Sequence, residues 1–278
     1  SYKSILVLAS GFETDLAIQA GAWLAAEHEA VARVLPVYPD LAAEMAATGI
    51  AVGGIAVPAA FDAAEELGRA RQLQSEASCE SAARGADIVL GECSGGPRLV
   101  LAPYVRSIWK VIERATALAD LVLICGRSLI SEPVRGRELV EDILMRQRQP
   151  LLIVRSSPEN LASAAAVAWT GSSEAGRAVR AALPLFGGAT GLDVMIHSKD
   201  GGQVAAVNGL SEYLQLHAVG APNHVILGGD DPAEAIVSEC RKRGVGVLVA
   251  GAYGHSRMRE FVLGGVTRSL LQVEDGPS

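Results

Sequence analysis

The chain has 278 residues, of which 50% are hydrophobic, only 4% aromatic and 20% charged, and its formal net charge is -7. At roughly 100–200 residues per domain this length predicts two compact domains, with cores of Ala, Val, Leu and Ile rather than aromatic rings. Scattered Lys and Arg give no basic footprint for a phosphate backbone, and apolar runs such as residues 245–252 fall far below the ~20 residues of a membrane span, so neither nucleic acid nor a membrane is expected as a partner.

The N-terminal residues run directly into a strand-like segment with no leader pattern ahead of it, which predicts a cytoplasmic protein. Continuous apolar runs bounded by turn residues and separated by helical patterns mark buried parallel strands with crossover helices. In the first half such runs predict strands over 4–9, 30–37, 87–91, 120–125 and 150–154. Helices are predicted over 13–27, 60–84, 99–117 and 137–148, and residues 41–58 read as an extended loop. Ser156, Ser157 and Pro158 form a plausible linker.

The second half repeats the order. Strands are predicted over 164–169, 191–196, 218–226 and 245–250, with helices over 173–185, 203–216, 232–243 and about 257–272. The apolar runs 120–126 and 245–251 superpose, each ending in glycine, at Gly126 and at Gly251. The tail from Val273 to Ser278 has no strand pattern, so the second sheet is expected to hold four strands of its own. The domain boundaries predicted from this repeat are 1–156 and 162–278.

Little in the chain speaks for catalysis. There is no G-x-S-x-G elbow, no G-x-x-x-x-G-K-[ST] loop and no H-E-x-x-H pair, so no catalytic residue is assigned. The paired acids Glu65-Glu66 read as an exposed helix face, and Asp230-Asp231-Pro232 as a helix cap followed by proline in the first turn. Cys79, Cys93, Cys125 and Cys240 form no CxxC pair, and the five histidines lack ligand spacing, so free thiols and no structural metal are expected.

The segment that carries chemistry is Gly251-Ala-Tyr-Gly254-His-Ser-Arg-Met-Arg-Glu-Phe-Val-Leu-Gly264-Gly265-Val-Thr267, directly after an apolar strand and running into a helix. Glycines at a strand's carboxyl end let the backbone take positive φ and approach a ligand, while loop and helix N–H groups present partial positive charge to a phosphate. A second use of the same glycines is purely structural, as turn residues and as room for helix packing. His255 and Arg257 either contact an anion or are solvated, and Trp169 and Tyr253 read first as packing aromatics.

The spacing G-x2-G-x9-G after the fourth strand, with the repeated β-α order, resembles the universal stress protein family in its tandem two-domain form, over nearly the whole chain. Ala168, Trp169, Thr170, Gly171 and Ser172 resemble that family's first loop, which faces the glycine loop across ATP in nucleotide-binding members. The resemblance implies two α/β, Rossmann-like (adenine-nucleotide α-hydrolase-like) parallel-sheet domains in tandem, packed as a pseudo-dimer, with ligand where the strand order reverses. It implies a cofactor site made of Ala168, Trp169, Thr170, Gly171, Ser172, Gly251, Gly254, His255, Ser256, Gly264, Gly265, Val266 and Thr267, holding ATP with or without Mg.

Three departures from the family pattern bear on that site. Gly265 stands where a phosphate-binding hydroxyl is usual, with Thr267 two residues further on. Thr170 and Gly171 stand where many members carry an Asp. In the first half Gly126 remains, but Leu129, Leu139 and Val140 replace the loop's other residues, so that half is expected to be a degenerate partner. The readings carried forward are an adenine-nucleotide binder acting in stress signalling or protection, with at most slow hydrolysis and a homodimer or unknown protein as partner, and a nucleotide-free interaction or dimerisation module. An adenylating enzyme shares the fold, but no substrate-handling residues are evident.

Overall fold

A computed structural model describes residues 1–11, 15–37, 57–93, 95–103, 108–131, 133–198, 207–252, 265–273 and 276–278. By compactness the chain divides into one unit of Tyr2–Cys125 and another of Gly126–Ser278 together with Ser1. All strand pairings given below are parallel, as expected of apolar runs joined by helices.

The first unit alternates β1 (Ser4–Ala9), α1 (Leu16–His28), β2 (Val31–Pro36), α2 (Val57–Gly85), β3 (Val89–Leu90), β4 (Arg98–Leu101), α3 (Ile108–Thr116) and β5 (Leu121–Cys125). The second continues with α4 (Gly126–Ser131), α5 (Pro133–Glu141), a π-helical turn (Asp142–Arg146), β6 (Leu151–Val154) and a 3-10 turn (Pro158–Ala162). It then runs through β7 (Ala164–Ala168), α6 (Ser173–Phe186), β8 (Leu192–His197), α7 (Asn208–Leu216), β9 (Asn223–Leu227), α8 (Pro232–Arg243), β10 (Val245–Ala250) and α9 (Gly265–Leu271).

The strands form a six-stranded sheet in the order β3-β4-β2-β1-β5-β6 and a four-stranded sheet in the order β10-β7-β8-β9. The α/β class with two parallel sheets is therefore as the sequence predicts, and the second sheet has four strands. β1 lies between β2 and β5, with Ile5 opposite Ala32 on one side and Leu121 on the other. Buried on both faces, β5 has five fully buried residues, the burial expected of a central parallel strand.

One helix prediction needs correcting. The stretch 99–117 is not continuous helix: Arg98–Leu101 is β4, paired with β2 through Val31 opposite Arg98, and the helix begins at Ile108. Pro103 explains the break, since proline in a helix interior removes a donor and its ring clashes with the preceding turn. Likewise the helix predicted over 137–148 is realised as the end of α5 and the π-helical turn, and α4 ahead of them was not predicted. The strand predicted over 87–91 shrinks to Val89–Leu90 at the sheet edge. Residues 41–56 of the predicted extended loop lie outside the described residues.

In the second sheet, β7 is nearly all alanine, AAAVA, and its small side chains let helices approach closely. Ala166, Met195, Val225, Ile236, Cys240 and Val245 form the core there. α8 starts at Asp231, whose carboxylate accepts from the N–H groups of Ala233 and Glu234, with Pro232 in the first turn, and ends at Gly244 in the left-handed region. The predicted cap is realised. All four cysteines are free thiols, and burial pushes the thiols of Cys79 and Cys240 up to about 12.

Candidate functional site

The chain passes from β7 to β8 to β9 on one side of the second sheet and returns to place β10 on the other side of β7. The strand order therefore reverses between β7 and β10, and in open α/β sheets ligands bind outside the carboxyl ends of the strands at such a point. β7 and β10 run in register to their ends, with Ala250 opposite Ala168. The loop from Trp169 and the chain leaving at Gly251 thus start side by side.

On the β7 side, Ala168 is the last strand residue and is buried, and the Trp169 N–H donates to the Met195 carbonyl at 2.9 Å. Thr170 and Gly171 are exposed, and Gly171 has a φ of 72°, the left-handed turn that points the chain into α6. The Thr170 hydroxyl donates to Ser172 Oγ at 3.0 Å, and Ser172 Oγ accepts from the Ala175 N–H at 3.2 Å, capping α6. The proton of the Ser172 hydroxyl takes part in neither bond. Hydroxyls and helix N–H groups of this kind suit the oxygens of a ribose or phosphate.

On the β10 side, Gly251 is a glycine for a reason of packing. A Cβ there would lie 2.6 Å from the Ala175 nitrogen and 2.9 Å from the Glu174 carbonyl carbon, so the first turn of α6 comes against the bare backbone. Gly265, at the start of α9, is the opposite case: a Cβ there would meet nothing within 4 Å. Val266 is exposed and Thr267 partly so. Gly254, His255, Ser256 and Gly264 lie outside the described residues.

Sequence reasoning missed two residues at this end of the sheet. Glu174, in the first turn of α6, is only 5% exposed; its Oε1 accepts from Ser173 Oγ at 2.9 Å and pairs with Arg177 Nη2 at 3.3 Å. An acid in a helix's first turn is stabilised by the positive end of the helix, and the run Ser172-Ser173-Glu174 was the available signal. The second is His197, ending β8, whose Nε2 lies 2.9 Å from the Gly229 carbonyl across the carboxyl ends of β8 and β9. The loop itself carries no acid, yet a carboxylate is buried one step beyond it.

No family model matches the chain, and no curated protein matches it in sequence. Solved structures match over almost its full length. A universal stress protein from Archaeoglobus fulgidus aligns with a TM-score of 0.61 at 17% identity, covering 96% of this chain and 92% of that one. The fold is that of the universal stress proteins. A protein assigned to the same family from Pseudomonas aeruginosa aligns at a TM-score of 0.54 and 14% identity, covering 100% of this chain and 92% of its own. A functionally unknown protein from Pseudomonas aeruginosa aligns at 0.52 and 13% identity, covering 99% and 90%. Among the described residues, no helix is long and apolar enough to cross a membrane.

Proposed function

We propose that the chain is a tandem universal stress protein whose second half binds an adenine nucleotide, ATP with or without Mg, between residues 168–172 and 251–267. The observation that carries this reading is the reversal of strand order between β7 and β10, with exposed hydroxyls of the β7 loop and the glycine-bearing end of β10 in register beside it. In this reading Thr170, Gly171 and Ser172 face the nucleoside oxygens, and Gly254, His255, Ser256 and Gly264 complete the phosphate side with Gly265, Val266 and Thr267. Binding acts in a cytoplasmic stress response through shape or association, including association of two copies, with at most slow hydrolysis.

The test is calorimetric titration of ligand-free protein with ATP. Heat of binding at millimolar nucleotide is expected, together with its loss in Gly254→Val; no heat above buffer dilution sinks the reading. Because a side chain at position 265 enters open space, Gly265→Ser adds the hydroxyl the site lacks without a clash. It is expected to raise ATP affinity by about tenfold, the scale of one added hydrogen bond to a charged oxygen.

A second reading, an interaction or dimerisation module without nucleotide, is favoured by two observations. Gly251 is already accounted for by its contact with Glu174 and Ala175, and the carboxylate of Glu174 already meets the positive end of α6. Mass spectrometry of small molecules released from the purified protein separates the two, because the module predicts none.

A further inference from the structure

Arg155 stands directly after β6, and its guanidinium donates to three backbone carbonyls. Its backbone N–H donates to Ser278 Oγ at 3.0 Å. Its guanidinium donates from Nε to the Val273 carbonyl at 2.9 Å, from Nη2 to the Leu270 carbonyl at 2.9 Å, and from Nη1 to the Pro277 carbonyl at 3.4 Å. All of these acceptors are neutral. Burial lowers its pKa to about 10, with desolvation as the cause.

The carbonyls it holds belong to the end of α9 and the segment beyond. Leu270 is in the last turn of α9, where a cation meets orphan carbonyls and the negative end of the helix. α9 rests against α8, but none of its residues is buried, so apolar packing does little to set its position. The segment beyond it is seated by backbone bonds instead. The Ser278 N–H donates to the Gly246 carbonyl at 2.8 Å, and the Ser278 carbonyl accepts from the Leu248 N–H at 2.9 Å, a one-residue parallel bridge on the edge of β10.

Gly126 makes room for this arrangement, since a Cβ there would come within 2.8 Å of Arg155 Cγ. One guanidinium thus ties β6, the end of α9 and the edge of β10 together, and α9 begins at Gly265. We propose that Arg155 is a positioning residue for the nucleotide site: by holding the end of α9, Val273, Pro277 and Ser278 beside β10, it sets where Gly265 and Thr267 stand relative to Gly251. The proposal rests on the nucleotide reading above and adds to it the group that orders the phosphate side from outside the site. Arginine is needed because its fork reaches three carbonyls at once, which an ammonium on a single-point stem does not.

The experiment uses the full chain as wild type, Arg155→Met, which keeps an apolar stem and loses the donors, and Arg155→Lys, which keeps the charge. Amide exchange at Leu248 and Ser278 is read by NMR, and binding of ATP and of adenosine is read by calorimetry. In Arg155→Met, exchange at those two amides is expected to rise by about tenfold, and ATP affinity to fall by about tenfold while adenosine affinity stays within about twofold. Arg155→Lys should fall between, and it carries the test if the Met variant does not fold. Unchanged exchange overturns the tie itself. Faster exchange with ATP and adenosine affinities falling in parallel, or neither falling, makes Arg155 a structural staple and overturns the positioning role. If wild-type protein binds no ATP, the nucleotide reading falls and the positioning role falls with it, a result distinct from binding that Arg155→Met leaves intact.

Discussion

The two glycines that superpose in sequence, Gly126 after β5 and Gly251 after β10, do different work. Gly251 admits the backbone of another helix, the first turn of α6. Gly126 admits a side-chain stem, that of Arg155. The helices that follow β1 and β7 differ in a parallel way. α1 is capped by Asp15, which is 2% exposed and accepts from the Ser10 N–H at 2.9 Å, Ser10 Oγ at 3.1 Å and the Ala17 N–H at 3.0 Å. α6 is capped by the Ser172 hydroxyl, and its carboxylate sits two residues later, at Glu174. Both halves keep a buried acid at a helix start; among the described residues the hydroxyl beside it is buried at Ser10 in the first half and exposed at Thr170 in the second.

Substitutions at these pairs sharpen or break the comparison. The largest effect is expected for Gly251→Val, which drives a side chain into α6 backbone and should cost about 3 kcal/mol in urea unfolding, at the upper end for overpacking. Next is Asp15→Ala. It removes a cap and strands the Ser10 N–H, for a loss of about 2 kcal/mol by the same measurement. Gly126→Ala crowds a side-chain stem rather than helix backbone and should cost about 1 kcal/mol, as should Ser172→Ala through its cap alone. Equal losses at Gly126→Ala and Gly251→Val would remove the distinction drawn between backbone and side-chain contact.

The acid at Asp15 also has a pH signature. Burial holds its carboxyl above the ordinary range, against the opposing hydrogen bonds from Ser10 and Ala17. A raised folded pKa contributes stability that is complete below the unfolded value of about 3.9 and is lost as pH rises through the folded value. Denaturant midpoints of wild type and Asp15→Asn, compared at acid and neutral pH, should therefore show wild type losing ground to the variant as pH rises. Movement the other way contradicts a carboxyl held high by burial.

Much of the fold was legible in the residues. β1, β10 and α8 begin and end where apolar runs and caps predict, because an unbroken Val/Ile/Leu run or an Asp-Pro start is decided by near neighbours. β4 was not, because Arg98–Leu101 is too short to show a period and its apolar residues read equally as a helix turn, with Pro103 the overlooked stop. At the candidate site, the β7 loop and Gly251 were legible as strand ends carrying turn chemistry. Glu174, His197 and Arg155 were not, since each acquires its meaning from a partner remote in sequence or from burial.

The sequence by itself determined a parallel α/β chain in two series, a second sheet of four strands, and the strand ends at which a site can form. Those follow from apolar periodicity, caps and turns, all of which act over a few residues. Tertiary structure decided what each glycine makes room for, that an acid is buried at the start of α6, and that one guanidinium bonds the carbonyls of Leu270, Val273 and Pro277 while Ser278 pairs with β10. Close approach of segments far apart in the chain is a property of packing, and the same residue type at matching positions is put to different use when different neighbours arrive.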